Sequence, residues 1–231
     1  WYNSKFIAVM GSNLNMTRTP DCHFAAEARH NGSKLVIFSP DFSQVSKYAD
    51  QWVPVHAGQD GAFWMSVVHV ILNEYHLQKK TPYFIEYAKR YTDCPFLVEL
   101  VKDGNSLKPG QFLRANRFEK YKNCENGEWK FLNIDEKTKQ LIMPKGSVGH
   151  RWDKKKGNWN LKYEDGTDNT SYEPLLSLID DHDDIAQIEF TEFGLDVQAK
   201  RGIPIKYLET LSGKVAVTTV YDLLMGQYGV S

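Results

Sequence analysis

Short apolar runs rich in strand formers alternate with longer mixed stretches through the first hundred residues. Residues 5–10 (KFIAVM) form the first run, and Gly11-Ser12-Asn13 ends it. Thr19-Pro20-Asp21 then carries a helix-start signature, with Thr19 as N-cap, Pro20 at the first helical position and Asp21 in the first turn. That helix presents Phe24, Ala25 and Ala28 and stops at Asn31-Gly32, a left-handed cap signal. A second run, Lys34–Phe38, is closed by Ser39-Pro40-Asp41 and followed by a short helical stretch over 43–49. A third, at 52–55 (WVPV), carries Pro54, which marks an edge or a strand end. After the turn Gly58-Gln59-Asp60-Gly61, an apolar-striped pattern predicts a long helix over 62–76. A further helix follows, with Thr81 as N-cap and Pro82 at its first position, ending near Tyr91.

Strands alternating with helices predict an α/β fold, a Rossmann-like, mostly parallel sheet flanked by helices. Right-handed crossovers place all strand-to-helix loops at one sheet edge, where such folds bind ligands at the reversal of strand order. From Phe96 the rhythm changes. Residues 96–102 are strand-like, and the chain to about residue 200 is polar, aromatic and turn-rich. Its turn signals are Asp103-Gly104-Asn105, Glu125-Asn126-Gly127, Pro144-Lys145-Gly146, Lys156-Gly157-Asn158 and Asp165-Gly166. They predict a β-hairpin-rich insertion. A hairpin around Ser212-Gly213 and a last helix capped by Thr219 follow. The expected organisation is an α/β nucleotide-arm part over 1–102, the insertion over 103–200, and a return hairpin and helix over 201–231 that completes the α/β part.

Composition narrows the picture. Hydrophobic residues make up 42% and charged residues 25% of the 231, which excludes disorder and collagen-like or disulfide scaffolds. The net charge of −1 gives no electrostatic case for nucleic acid or an anionic membrane. No apolar run approaches the length of a membrane span, so no direct membrane insertion is expected. Residue 1 is Trp, no basic-then-apolar leader follows, and a strand-like run opens almost at once. The sequence therefore reads as a piece of something longer, without a targeting segment. Cys22, Cys94 and Cys124 are scattered and form no CxxC, so reduced thiols fit better than disulfides or a cysteine zinc site. The sequons at Asn15, Asn31 and Asn169 are expected by chance in so polar a chain.

Three loops carry candidate chemistry. At Gly11-Ser12-Asn13, free N–H groups and a helix start suit a nucleotide pyrophosphate, and Ser12 and Asn13 supply hydrogen bonds for phosphate or ribose. The segment is not GxGxxG, so a standard NAD fingerprint is missing. Asp41 follows strand two; a carboxylate there accepts from ribose hydroxyls or from the N1 and N2 donors of guanine. Its other reading is a helix N-cap on 43–49. Gly58 and Asp60 follow strand three, and Asp60 has the same two readings. Among weaker features, His69 and His76 lie seven apart, which is poor spacing for a metal. The run Asp180–Asp184 lacks calcium-loop spacing. Lys154-Lys155-Lys156 beside Trp152 and Trp159 reads as a hairpin tip. No metal site and no complete catalytic centre is expected.

An ordered string of motifs now enters: Trp1-Tyr2-Asn3-Ser4, Met10-Gly11-Ser12-Asn13 and Thr17-Arg18-Thr19-Pro20-Asp21-Cys22-His23-Phe24. It continues through Ser39-Pro40-Asp41, Gly58-Gln59-Asp60, His69 and Arg90-Tyr91-Thr92-Asp93. It ends with Gly146-Ser147-Val148-Gly149-His150-Arg151-Trp152 and Val217-Thr218-Thr219-Val220-Tyr221-Asp222-Leu223. Over its whole length the chain resembles the catalytic alpha subunits of membrane-bound respiratory nitrate reductases, molybdopterin oxidoreductases of the dimethyl-sulfoxide-reductase type. The resemblance implies a bis-(molybdopterin guanine dinucleotide) cofactor, with a guanosine arm held by Gly11, Ser12, Asn13, Asp41, Gly58 and Asp60. It implies a parent that reduces nitrate to nitrite, with an iron–sulfur beta subunit and a membrane cytochrome subunit as partners. It also implies a place on the cytoplasmic side of the cell membrane, peripheral through those partners. The family's [4Fe–4S] ligands and its aspartate ligand to molybdenum have no counterpart here, so the chain alone is expected to be inactive. The competing reading is a doubly wound module that binds a small ligand or a protein without a redox role. A third, an NAD-dependent dehydrogenase, is disfavoured by the missing glycine fingerprint.

Overall fold

In the computed structural model the described residues are 1–146, 148–154, 162–192 and 194–230. The fold is mixed α/β with several separate sheets. The chain divides into two compact units, residues 1–68 and 69–231.

The first unit is built on β1 (Phe6–Met10), β2 (Lys34–Phe38) and β3 (Gln51–Val53), which pair in parallel in that order. Successive strand residues point to opposite faces, and this decides the packing. Ile7, Val9, Leu35 and Ile37 face one way and form a core with Ala25 and Ala28 of α2 (Thr19–His30). Phe38 faces the other way and packs in a tilted ring contact on Phe63 of α3 (Asp60–Val70), with ring centroids 4.5 Å apart. A one-turn helix, α1 (Leu14–Thr17), precedes α2 and buries Leu14 in the same core. Arg18 occupies the N-cap of α2, so Thr19 is its first residue and not its cap. Asp50 ties the base of the sheet: its Oδ2 accepts the Leu35 N–H at 2.7 Å, and its Oδ1 pairs with Arg29 at 2.9 Å.

The expected helix over 62–76 changes character. It is α-helical to Val70 and continues as a π-helix over Ile71–Gln78. His69 is exposed, whereas His76 is buried, with its Nε2 2.6 Å from the Tyr221 hydroxyl. α4 (Pro82–Tyr91) then follows Thr81, as its Pro predicts.

The parallel arrangement ends there. β4 (Leu97–Asp103) and β5 (Ser106–Phe112) form a hairpin through Gly104, which takes φ +61. A tight turn enforces antiparallel pairing. Chain order continues with β6 (Asn133–Ile134), β7 (Leu141–Ile142), β8 (Asp184–Ala186), β9 (Glu189–Glu192), β10 (Leu195–Gln198), β11 (Ile203–Thr210) and β12 (Gly213–Thr219). The largest sheet is five-stranded, ordered β5-β4-β12-β11-β8, and antiparallel throughout. The expectation of a mostly parallel sheet therefore holds for the first three strands only. α5 (Val220–Tyr228) closes the chain, capped by Thr219, whose hydroxyl accepts the Asp222 N–H at 3.0 Å.

Residues 103–200 are less hairpin-rich than expected. β6–β7 and β9–β10 are hairpins, but much of the rest is short 3-10 turns and single bridges. These pack around Leu113, Tyr121, Leu132, Ile134, Met143 and Leu178. Glu125-Asn126-Gly127 starts such a turn, with Asn126 at φ +51, and not a hairpin. The expected turn at 156–158, together with Lys155, Lys156, Trp159 and Ser147 of the sequence motifs, lies outside the described residues. The acidic run is anchored to β11: Asp181 pairs with Lys206 at 2.8 Å, and Asp183 accepts the Tyr207 N–H at 2.7 Å.

Candidate functional site

Met10 of β1 is level with Phe38 of β2, and Phe38 is level with Val53 of β3. The three parallel strands thus end on one line, and the loops that follow leave the same sheet edge. All six candidate residues, Gly11, Ser12, Asn13, Asp41, Gly58 and Asp60, stand in those loops or at the helix start that follows.

In the first loop Gly11 is exposed at φ +64, a conformation that favours glycine. The Asn13 carbonyl accepts the N–H groups of Met16 and Thr17 at 3.1 and 2.9 Å, and the Thr17 hydroxyl at 3.0 Å. Its side chain makes no cap hydrogen bond, and its Oδ1 is buried without a partner. An unpaired buried acceptor is costly.

In the second loop the Ser39 hydroxyl lies 2.9 Å from Asp41 Oδ1 and 2.8 Å from the Asp41 carbonyl oxygen. This fixes one carboxylate oxygen of an exposed side chain. The helix-cap reading of Asp41 is not realised, because Ser43 holds the N-cap position of the short helix Gln44–Tyr48.

In the third loop Gly58 takes φ +80 and is exposed. Asp60 opens α3 and lies in its first turn, where a carboxylate is favoured by the helix dipole. A side-chain carbon added at Gly11 or Gly58 would meet nothing within 4 Å, so both backbones face open space.

Side chains that the sequence reading did not single out bind the loops together. Asn15 Nδ2 donates to Gln44 Oε1 at 2.9 Å, linking the first loop to the second. The Ser39 N–H donates to the Val53 carbonyl at 3.2 Å, and Trp52 Nε1 donates to the Ser39 carbonyl at 3.0 Å. Trp64 Nε1 donates to Met10 Sδ at 3.2 Å, holding α3 on the end of β1. The Ser39–Asp41 spacing is visible in sequence as a local turn pattern. The Trp64–Met10 contact is not, because it depends on how α3 crosses the sheet. Among the described residues no group of three or more His, Cys, Asp or Glu side chains is placed to hold a metal ion. Among the described residues no helix is long and apolar enough to cross a membrane.

Residues 1–175 match the family model for the molybdopterin oxidoreductases, well over half of the chain. The chain belongs to the molybdopterin oxidoreductase family. Within that family it is 41% identical to the nitrate reductase alpha chain of Bacillus subtilis (strain 168) over its whole length. It is 38% identical, again over its whole length, to the respiratory nitrate reductase 1 alpha chain of Escherichia coli (strain K12). The perchlorate reductase subunit alpha of Dechloromonas aromatica (strain RCB) is 34% identical over 67% of this chain. The chain spans only 19% of the length of the two nitrate reductase chains and 15% of the perchlorate reductase subunit. The family model covers all three loops of the parallel sheet edge.

Proposed function

We propose that the α/β part of this molybdopterin oxidoreductase chain, read as a Rossmann-like half over 1–102, cradles one guanosine arm of a bis-(molybdopterin guanine dinucleotide) cofactor. The observation that carries this reading is the level ending of three parallel strands, with open glycine backbone and acidic side chains in their loops. The donor and acceptor chemistry fits. Guanine presents N1–H and N2–H donors, and Asp41, Asp60 and the unpartnered Asn13 Oδ1 supply acceptors. Gly11 and Gly58 let backbone N–H groups approach a pyrophosphate. Ser12 adds a hydroxyl for phosphate or ribose.

Such a cofactor, when bound, supplies oxygen-atom transfer and two-electron chemistry at its molybdenum. The contribution of this chain is to bind and orient the nucleotide end. In this reading 103–200 is an insertion and 201–231 the return that completes the α/β part. The whole protein is a catalytic alpha subunit that reduces nitrate to nitrite, and the rest of that subunit carries the [4Fe–4S] ligands. Its partners are an iron–sulfur beta subunit and a membrane cytochrome subunit, which hold it on the cytoplasmic side of the membrane.

The test is thermal melting with GMP, GDP and NAD in parallel, on wild type, Asp41→Ala and Asp60→Ala. Guanine nucleotides stabilise wild type, by about 2.7 kcal/mol at a hundredfold excess over Kd. NAD does not, and each substitution reduces the guanine effect. An equal response to all three ligands, unchanged in both variants, would overturn the reading.

A further inference from the structure

Outside the loop edge, the described residues hold a nucleophile–cation pair that the proposed function does not use. Cys124 is half-buried, and its Sγ lies 3.3 Å from the Nζ of Lys130, a side chain only 2% exposed. Lys130 Nζ also donates to Asp153 Oδ2 at 2.6 Å. Asp153 is held by Asn126 Nδ2 at 2.8 Å on its other oxygen and lies 3.2 Å from His150 Nδ1. The Sδ of Met143 is 3.8 Å from the cysteine sulfur. A buried lysine is ordinarily committed to its carboxylate alone; here one N–H direction is turned onto sulfur. The other two cysteines lack this arrangement. Cys94 is buried, with its thiol held above the usual range by burial, and among the described residues no cation is hydrogen-bonded to Cys22.

We propose that Cys124 and Lys130 form a peroxide-responsive site, in which oxidised Cys124 is captured by Lys130 as a sulfur–nitrogen bond. Hydrogen peroxide is the oxidant. In the first step the Cys124 sulfur attacks one peroxide oxygen; the oxygen–oxygen bond breaks, sulfur loses two electrons, and the products are a sulfenic acid and water. The negative charge of this step develops on the departing hydroxide oxygen, which takes the thiol proton to leave as water, and the Lys130 ammonium beside the sulfur stabilises that charge. In the second step Lys130 gives one proton to Asp153 at 2.6 Å, and its amine lone pair attacks the sulfenic sulfur. The sulfur–oxygen bond breaks, the departing hydroxide takes the second proton from nitrogen, and water leaves. The product is Cys124–S–NH–Lys130, and Asp153 passes its proton to solvent. A small thiol such as dithiothreitol reverses the bond by attack at sulfur. The 3.3 Å separation means that capture needs only side-chain motion, so it competes with further oxidation.

Peptide mapping of the native protein treated with hydrogen peroxide tests this. Trypsin normally cleaves after Lys122, Lys130 and Lys137. The bond engages the Lys130 amine, so cleavage there is lost. The expected product is peptide 123–137, lighter by two hydrogens, which disappears on reduction with dithiothreitol. Cys124→Ser abolishes it without touching the buried lysine, and Cys22 reacts more slowly than Cys124. Lys130→Arg leaves Cys124 to proceed to sulfinic acid with no linked peptide; circular dichroism checks that this variant is folded. The proposal is overturned if wild-type Cys124 reaches sulfinic acid while Lys130 remains cleavable, or if Cys124 does not react ahead of Cys22.

Discussion

Two buried histidines contribute to how this chain responds to mild acid. Desolvation holds the imidazoles of His76 and His150 below the usual range, and Lys130 adds to the effect at His150. The unfolded chain takes up these protons near pH 6.5, and the folded chain resists them. Their contribution to stability is therefore full above about pH 6.5 and declines as pH falls below it. Urea unfolding at about pH 7.5 and about pH 5.5 should show this loss, and His76→Gln should lose less than wild type between the two. An identical loss would mean that His76 does not contribute. Little of this was legible beforehand. The spacing of His69 and His76 argues against a shared metal but does not say which is buried; one is exposed and the other sealed against Tyr221 and Phe84. Asp41 was more readable: its place after a strand and the nearby Ser39 are both local. Its orientation by that hydroxyl rests on neighbours two residues away.

Helix ends were read only in part: Thr19 is the first residue of α2 and not its cap, whereas the end at Thr219 was read correctly. Thr219 caps α5 as its side-chain chemistry predicts, and Gly229 ends the helix at φ +66. The Thr219 hydroxyl also contacts Asp222 Oδ2 at 2.8 Å in a fully buried setting. Thr219→Ala should therefore cost about 1–2 kcal/mol, read as a lower urea midpoint at unchanged slope, and Thr219→Ser should restore most of it. No change in midpoint would remove the cap from the account. Interior geometry was less legible. The π-helix over Ile71–Gln78 carries no sequence mark that separates it from ordinary helix. Its wider turn places His76 in the buried position that Tyr221 and Phe84 complete. The one-turn helix α1 was missed because four residues are too few to show a period.

For the molecule, contact range decided what could be foreseen. β1, β2 and β3 follow one another in sequence with a helical stretch between each and the next, and their parallel pairing follows from that rhythm. The hairpins β4–β5 and β11–β12 were legible from their turns at Gly104 and Gly213, but their joining into one sheet was not, since Leu97 of β4 pairs with Thr219 of β12, far along the chain. β1 buries Ile7 and Val9 but leaves Phe6 57% exposed, whereas parallel sheets are normally covered on both faces. The central claim is that the edge formed by residues 11–13, 39–41 and 58–60 holds a guanosine arm. Hydrogen exchange followed by mass spectrometry, with and without GDP, tests it most directly. The account predicts slower exchange in all three loops with GDP and no change with NAD. Unchanged exchange in these loops, with slowing confined to residues 69–231, would contradict it.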